Sequence, residues 1–182
     1  MRVGGLIQGS DPGDALPVRL RPPRRADGPA LHSLVAHCPP LDLNSVYLYL
    51  LLTEHFSQTC IVAEDDRGVL GMVSAYLPPA RDDVLFVWQV AVHPRARGLG
   101  LGLRMLRQLL RRFGMRPVRW VETTVGPGNQ ASRRLFARLA DQMGASMHES
   151  ALFEAALFGI DARDHEAEPL LRIGPLSLSA VK

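Results

Sequence analysis

Residues 84–92, Val-Leu-Phe-Val-Trp-Gln-Val-Ala-Val, form a nearly unbroken apolar run. Shortly after it the chain reads Arg97-Gly-Leu-Gly-Leu-Gly102. An apolar run of that length, rich in β-branched and aromatic residues, predicts a buried central strand, which His93-Pro94 stops. Leu103, Leu106, Leu109 and Leu110 recur at helical spacing, so a helix is expected to follow and to end near Gly114. A strand that feeds a glycine-rich turn into a helix restricts the chain to the α/β class.

The turn has the chemistry of anion capture. Glycines let backbone N–H groups approach a ligand closely, and a helix beginning there adds unpaired donors and the positive end of its dipole. Arg95, Arg97 and Arg104 supply flanking charge. Charge-assisted hydrogen bonds of about 1.5–3 kcal/mol each are enough for a handful to hold a pyrophosphate. A dinucleotide GxGxxG fingerprint is completed by neither glycine pair, and the turn comes mid-chain after several expected strands. A Walker loop needs a lysine, and the only lysine here is Lys182.

That single lysine also excludes internal Schiff-base and lysine general-base chemistry. The 182 residues, 47% apolar, suit one globular domain. Their net charge of +3 hints at nucleic acid, but no helix-turn-helix pattern accompanies it. Cys38 and Cys60 form no CxxC pair, and the histidines show no HxxxH spacing, so neither a zinc site nor a redox dithiol is expected. No apolar stretch approaches the ~20 residues of a membrane span, and no signal-peptide core is present. A cytoplasmic, reduced protein is expected, with residues 1–17 as a mobile arm, 18–176 as the domain and 177–182 as a tail.

A strand is expected at 18–21. Asp27 is expected to cap a helix carrying Leu31, Leu34 and Val35, which ends before Pro39-Pro40. A second helix over 45–55, capped by Asn44 or Ser45, places Val46, Tyr49, Leu50 and Leu52 together. Strands at 59–64 and 70–77 join through Asp65-Asp66-Arg67-Gly68, a hairpin turn. A strand at 118–125 leads through Gly126-Pro-Gly-Asn129 to a helix that buries Ala131, Leu135 and Leu139. Strands at 147–158 and 170–176 close the domain, separated by an acidic loop over 159–168.

Arg97-Gly-Leu-Gly-Leu-Gly102 resembles the Q/RxxGxG/A motif of the GCN5-related N-acetyltransferases, and Asn129-Gln-Ala-Ser-Arg-Arg-Leu-Phe136 resembles their second cofactor element. The likeness spans 18–173. It implies that family's fold, a central mixed, mostly antiparallel sheet flanked by helices. It also implies acetyl-CoA as cosubstrate, held by Val90, Ala91, Val92, Arg97, Gly98, Leu99, Gly100, Leu101, Gly102, Asn129 and Ser132, with no metal. Phe136 stands where the family often has the tyrosine thought to protonate the leaving thiolate.

Residues 38–47, Trp88-Gln-Val-Ala-Val-His-Pro94, Val121-Glu-Thr-Thr124 and His165-Glu-Ala-Glu168 are similar to the L-2,4-diaminobutyrate acetyltransferases of ectoine biosynthesis. That implies acetyl transfer to the γ-amine of diaminobutyrate by a homodimer, without nucleic acid or membrane. Glu122, in an otherwise apolar strand, is then the expected general base, or else an ion-pair partner of a nearby arginine. Asp42 binds the substrate ammonium or caps the next helix, and Trp88 walls the pocket or packs in the core. Asn44, Tyr47 and Thr123 are expected to line the pocket, whereas Tyr49 belongs to the core. Glu166 and Glu168, with His165, close over the diamine or form a solvated loop.

Charge is segregated in the same sense. Residues 95–138 hold eleven arginines and one acid, Glu122, and the flanking stretches are acidic. A polyanionic donor and a cationic acceptor call for that division.

Overall fold

The computed structural model describes residues 18–112, 118–159 and 166–176. The expected arm and tail, the helix end near Gly114 and His165 lie outside the described residues. Among these residues seven strands form one sheet: β1 (Arg19–Arg21), β2 (Ile61–Asp65), β3 (Gly68–Tyr76), β4 (Val84–Val92), β5 (Trp120–Thr124), β6 (Ser146–Phe153) and β7 (Glu168–Gly174). Their spatial order is β1-β2-β3-β4-β5-β7-β6. Every neighbouring pair is antiparallel except β4 with β5. The sheet is thus mixed and mostly antiparallel, with the apolar strand β4 at its centre.

Among the described residues, four α-helices cover the sheet: α1 (Gly28–Ala36), α2 (Val46–His55), α3 (Leu101–Arg112) and α4 (Gln130–Met143). On one face, Leu106, Leu109 and Leu110 of α3 and Phe136 and Leu139 of α4 pack on Leu85 and Val87. On the other, Leu31, Leu34 and Val35 of α1 and Tyr49 of α2 pack on Val62, Met72 and Ala91. Fully burying each large apolar side chain contributes about 1.5–3 kcal/mol, so these two layers supply the main favourable term. The β2–β3 hairpin turns on Asp66-Arg67, since Asp65 pairs with Gly68. Asp65 also accepts a hydrogen bond from the Arg67 amide at 3.0 Å.

Several boundaries differ from the expected ones. β2 begins at Ile61, and β3 begins at Gly68 and ends one residue early. β5 loses residues at both ends of its expected span, and β6 stops at Phe153, giving way to a 3-10 turn over Ala155–Phe158. β7 starts at Glu168 and ends at Gly174, so part of the expected acidic loop is strand. The expected Asp27 cap of α1 is not made. Its carboxylate instead accepts from the Arg24 amide at 2.7 Å and pairs with Arg21 at 2.6 Å. Ser45, not Asn44, caps α2 by accepting from the Leu48 amide.

On α4, Ala131 is exposed rather than buried, and the apolar face is Phe136, Leu139, Ala140 and Met143. Val46 and Leu50 are likewise exposed.

Arg21 bridges Asp27 and Glu64, tying β1 to β2 and to the turn before α1. Its hydrogen bond is the largest influence on Glu64, whose carboxyl it holds down at about 2.

Candidate active site

β4 contains one residue more than its neighbour allows. Ser74 of β3 faces Gln89 and Ala75 faces Val87, so Trp88 has no opposite residue and forms a β-bulge. The bulge shifts the strand's alternation by one. Leu85 and Val87 before it, and Val90 and Val92 after it, all pack on the α3/α4 side, while Ala91 points to the α1/α2 side. Trp88 itself is pushed outward, 40% exposed. It therefore stands in a cavity wall rather than in the core.

The bulge coincides with a parting of the sheet. β4 and β5 pair at Val84, Leu85 and Phe86, opposite Trp120, Val121 and Glu122, and the ladder then stops. The His93 amide donates to the Leu70 carbonyl of β3 at 2.8 Å. By strand alternation the backbone groups of Val90 and Val92 then face the gap and those of Ala91 face β3. The Val92 carbonyl is not free, however, since it accepts from Arg97 Nε at 3.1 Å and Cys38 Sγ at 3.4 Å. That leaves the Val90 backbone groups and the Val92 amide facing the gap.

Two voids meet there. A groove of about 420 Å³ is lined by Val90, Val92, Arg97, Gly98, Gly100, Leu101, Gly102, Asn129 and Ser132, among others. A cavity of about 820 Å³ is lined by Asp42, Asn44, Trp88, Glu122, Thr123 and Glu168, with further walls from Phe136 and Tyr76. Val90, Asn129 and Ser132 border both. Of the residues expected to hold the cofactor, Ala91 is buried on the opposite face, and Leu99 is 77% exposed and outside the groove.

Gly98 and Gly100 adopt φ of +77° and +71°, a region costly for residues with a Cβ. Among the described residues, no atom beyond the chain neighbours lies within 4 Å of where a Cβ would stand on either. Backbone conformation and open space for a ligand, rather than crowding, explain these glycines. Asn129 Oδ1 caps α4 by accepting from the Ser132 amide at 3.1 Å, which leaves its Nδ2 as a donor at the junction. Arg95 is less available than expected, because it forms a two-pronged pair with Asp65 at 2.5 and 2.8 Å. That pair holds the Asp65 carboxyl down at about 2.

Glu122 is 1% exposed and paired: Oε1 accepts from Arg81 Nη1 at 2.8 Å and lies 3.5 Å from Arg172 Nε. The ion-pair alternative is therefore present, while Oε2 is buried without a hydrogen-bond partner among the described residues. Arg172 also stacks on the Trp120 ring at 4.0 Å. The Asp42 side chain caps no helix, because Ser45 does so. Its backbone carbonyl accepts from Gln89 Nε2 at 3.0 Å and from Asn44 Nδ2 at 3.3 Å, fixing the loop that carries it. Glu168 accepts from Thr124 Oγ1 at 2.6 Å.

Tyr47 and Glu166 are not among the residues lining the cavity. Tyr47 is 67% exposed, and Glu166 instead accepts from the Gly128 amide at 2.8 Å, bracing the turn before α4. Tyr49 is fully buried, as expected. Sequence reasoning missed Arg81, Gln89 and Arg172. Gln89 carries a visible signal, a lone polar residue in an apolar strand, whereas only the fold brings Arg81 and Arg172 to Glu122.

The Acetyltransferase (GNAT) family profile matches residues 29–140. This chain belongs to the GNAT acetyltransferase family. Within that family it is 58% identical to an L-2,4-diaminobutyric acid acetyltransferase of Bordetella parapertussis over 94% of this chain and 91% of the relative. It is 42% identical to a protein of the same description from Vibrio cholerae, over 91% and 94% of the two chains. Among solved GNAT structures, the diaminobutyrate acetyltransferase EctA of Paenibacillus lautus, in complex with its substrate L-2,4-diaminobutyric acid and coenzyme A, superposes with a TM-score of 0.84. It has 39% identity and covers 88% of this chain and 96% of its own. Among the described residues of this GNAT chain, no cluster of three His, Cys, Asp or Glu converges as metal ligands. None of its described helices is long and apolar enough to cross a membrane.

Proposed function

We propose that this protein transfers the acetyl group of acetyl-CoA to the γ-amino group of L-2,4-diaminobutyrate, the acetylation step of ectoine, a compatible solute. The observation that carries the proposal is the junction of an acidic cavity with a glycine-lined groove across the parted strands β4 and β5. Its relatives' activity is in keeping with that arrangement. The groove takes the donor, with the amides of residues 98–102 on the pyrophosphate and Asn129 on the pantetheine arm. The cavity takes the amine, with Asp42 and Glu168 as anionic partners and Trp88 as an aromatic wall for a cation.

An alkylammonium of pKa near 10.4 must lose a proton before it attacks, at a cost of about 4 kcal/mol at pH 7.5. Glu122, buried in the cavity wall with Oε2 unpartnered, takes that proton, directly or through a water. The neutral amine then adds to the thioester carbonyl, which the Val90 amide polarises, and the tetrahedral intermediate collapses with release of the CoA thiol. Phe136 offers no hydroxyl for the thiolate. Tyr76 is the one phenol among the described cavity walls.

Thiol release measured across an amine panel tests the assignment. Diaminobutyrate should give the highest kcat/KM, and equal or better turnover of putrescine or lysine would overturn it.

Residues 18–176 act in this reading as one cytoplasmic N-acetyltransferase domain within a homodimer. β6 supports the dimer, since it is an edge strand exposed at every position that carries Met147, Leu152 and Phe153, followed by Leu157 and Phe158. A bare apolar edge of this kind invites a partner, and Leu152, Phe153 and Phe158 also wall the cavity. Sedimentation velocity should return twice the chain mass, and Leu157→Glu should shift it toward the monomer. A wild-type monomer at micromolar concentration would remove the dimer from the proposal.

A further inference from the structure

We infer that Arg81 is the subsite for the carboxylate of an amino-acid substrate, and that it thereby selects a diamino acid over a plain diamine and sets which amine is acetylated. This rests on the proposed function and deepens it. Asp42, Glu122 and Glu168 give the cavity three carboxylates, and among its described lining residues Arg81 is the one cation. A cavity built for a simple diamine gains nothing from a guanidinium, which repels both ends of that ligand. Diaminobutyrate carries a carboxylate beside its α-amine, and such a ligand needs a cationic partner.

Arg81 is suited to the task. Nη1 donates to Glu122 at 2.8 Å, while its remaining donors have no partner among the described residues. A guanidinium offers five N–H donors in a planar fork that matches a carboxylate two-pronged. Its backbone is pinned at both ends: the Arg81 amide donates to the Pro78 carbonyl at 2.9 Å, and the Val84 amide donates to the Arg81 carbonyl at 3.2 Å. The Arg81 side chain is half-exposed and that of Glu122 is buried, so the cation stands at the mouth and the base lies deeper. A substrate carboxylate on Arg81 keeps the adjacent α-amine at the mouth. The γ-amine, two carbons further along, is the one that reaches Glu122 and the gap between β4 and β5.

The test compares kcat/KM for diaminobutyrate with that for 1,3-diaminopropane, the same molecule without its carboxylate, in the wild type, Arg81→Ala and Arg81→Lys. The ratio should fall roughly 10- to 100-fold in Arg81→Ala, the range for a lost charge-assisted hydrogen bond. Lysine should restore part of it. A ratio unchanged from wild type, with both substrates declining together, would overturn the inference and leave Arg81 as a partner of Glu122 alone. If Arg81→Ala fails to fold, the ratio in Arg81→Lys decides in the same way, an unchanged ratio together with an unchanged diaminobutyrate KM counting against the subsite. A wild type inactive on diaminobutyrate but active on 1,3-diaminopropane would instead bring down the proposed function, and this subsite with it.

Discussion

Glu122→Gln should lower kcat by about 10²- to 10⁴-fold, the usual contribution of a positioned general base, while the Kd for CoA changes less than threefold. Glutamine keeps the shape and still offers an oxygen to Arg81, but it cannot take a proton from an ammonium. CoA affinity is spared because Glu122 lines the cavity and not the groove. The substitution also leaves Arg81 and Arg172 without their shared counter-charge, and losing one partner of a buried pair is destabilising. A melting curve beside the thiol-release assay separates the two effects. Unchanged turnover in a folded variant would move the base to Asp42 or Glu168.

The second large effect is expected at the turn before α3. Gly100→Val should weaken CoA binding at least 100-fold, read by calorimetric titration. Valine at φ +71° is a strained conformation for a β-branched residue, costing about 1–2 kcal/mol for the left-handed region alone. The turn is expected to relieve it by rotating its amides away from the ligand. Because no atom of the described residues beyond the chain neighbours lies within 4 Å of the new Cβ position, the side chain has room there, and the loss should appear in binding more than in melting temperature. A normal CoA Kd would refute the pyrophosphate assignment.

The sequence made the fold legible wherever one residue pattern had a single structural solution. The apolar run 84–92 matches β4 at both ends, and the leucine spacing after Gly102 places the buried face of α3. Single-residue roles were harder to read. The run does not mark where its bulge falls, because Trp88 is as plausible a core residue as Val87 or Val90 until β3 supplies a register. Ala91 and Leu99 sit inside the right motifs, but strand alternation and loop direction send them away from the groove. The Arg81–Glu122 pair spans 41 positions, and only the parallel β4–β5 crossover brings them together. Asp42 and Glu168 were reached through the family resemblance of their segments, and both line the cavity.

The unpaired Trp88 also divides the chain into parts that tolerate change of different kinds. Between Gly71 and Val92 the strand after the bulge is locked in phase, and slipping it by one residue would turn Val90 and Val92 to the wrong layer together. The connection over 77–83 carries Arg81 and has no such ladder on it. Its Pro78 and Arg81 line the cavity, and none of its residues lines the donor groove. In the proposed reading, changes in that connection are expected to alter the choice of amine and to spare the delivery of acetyl.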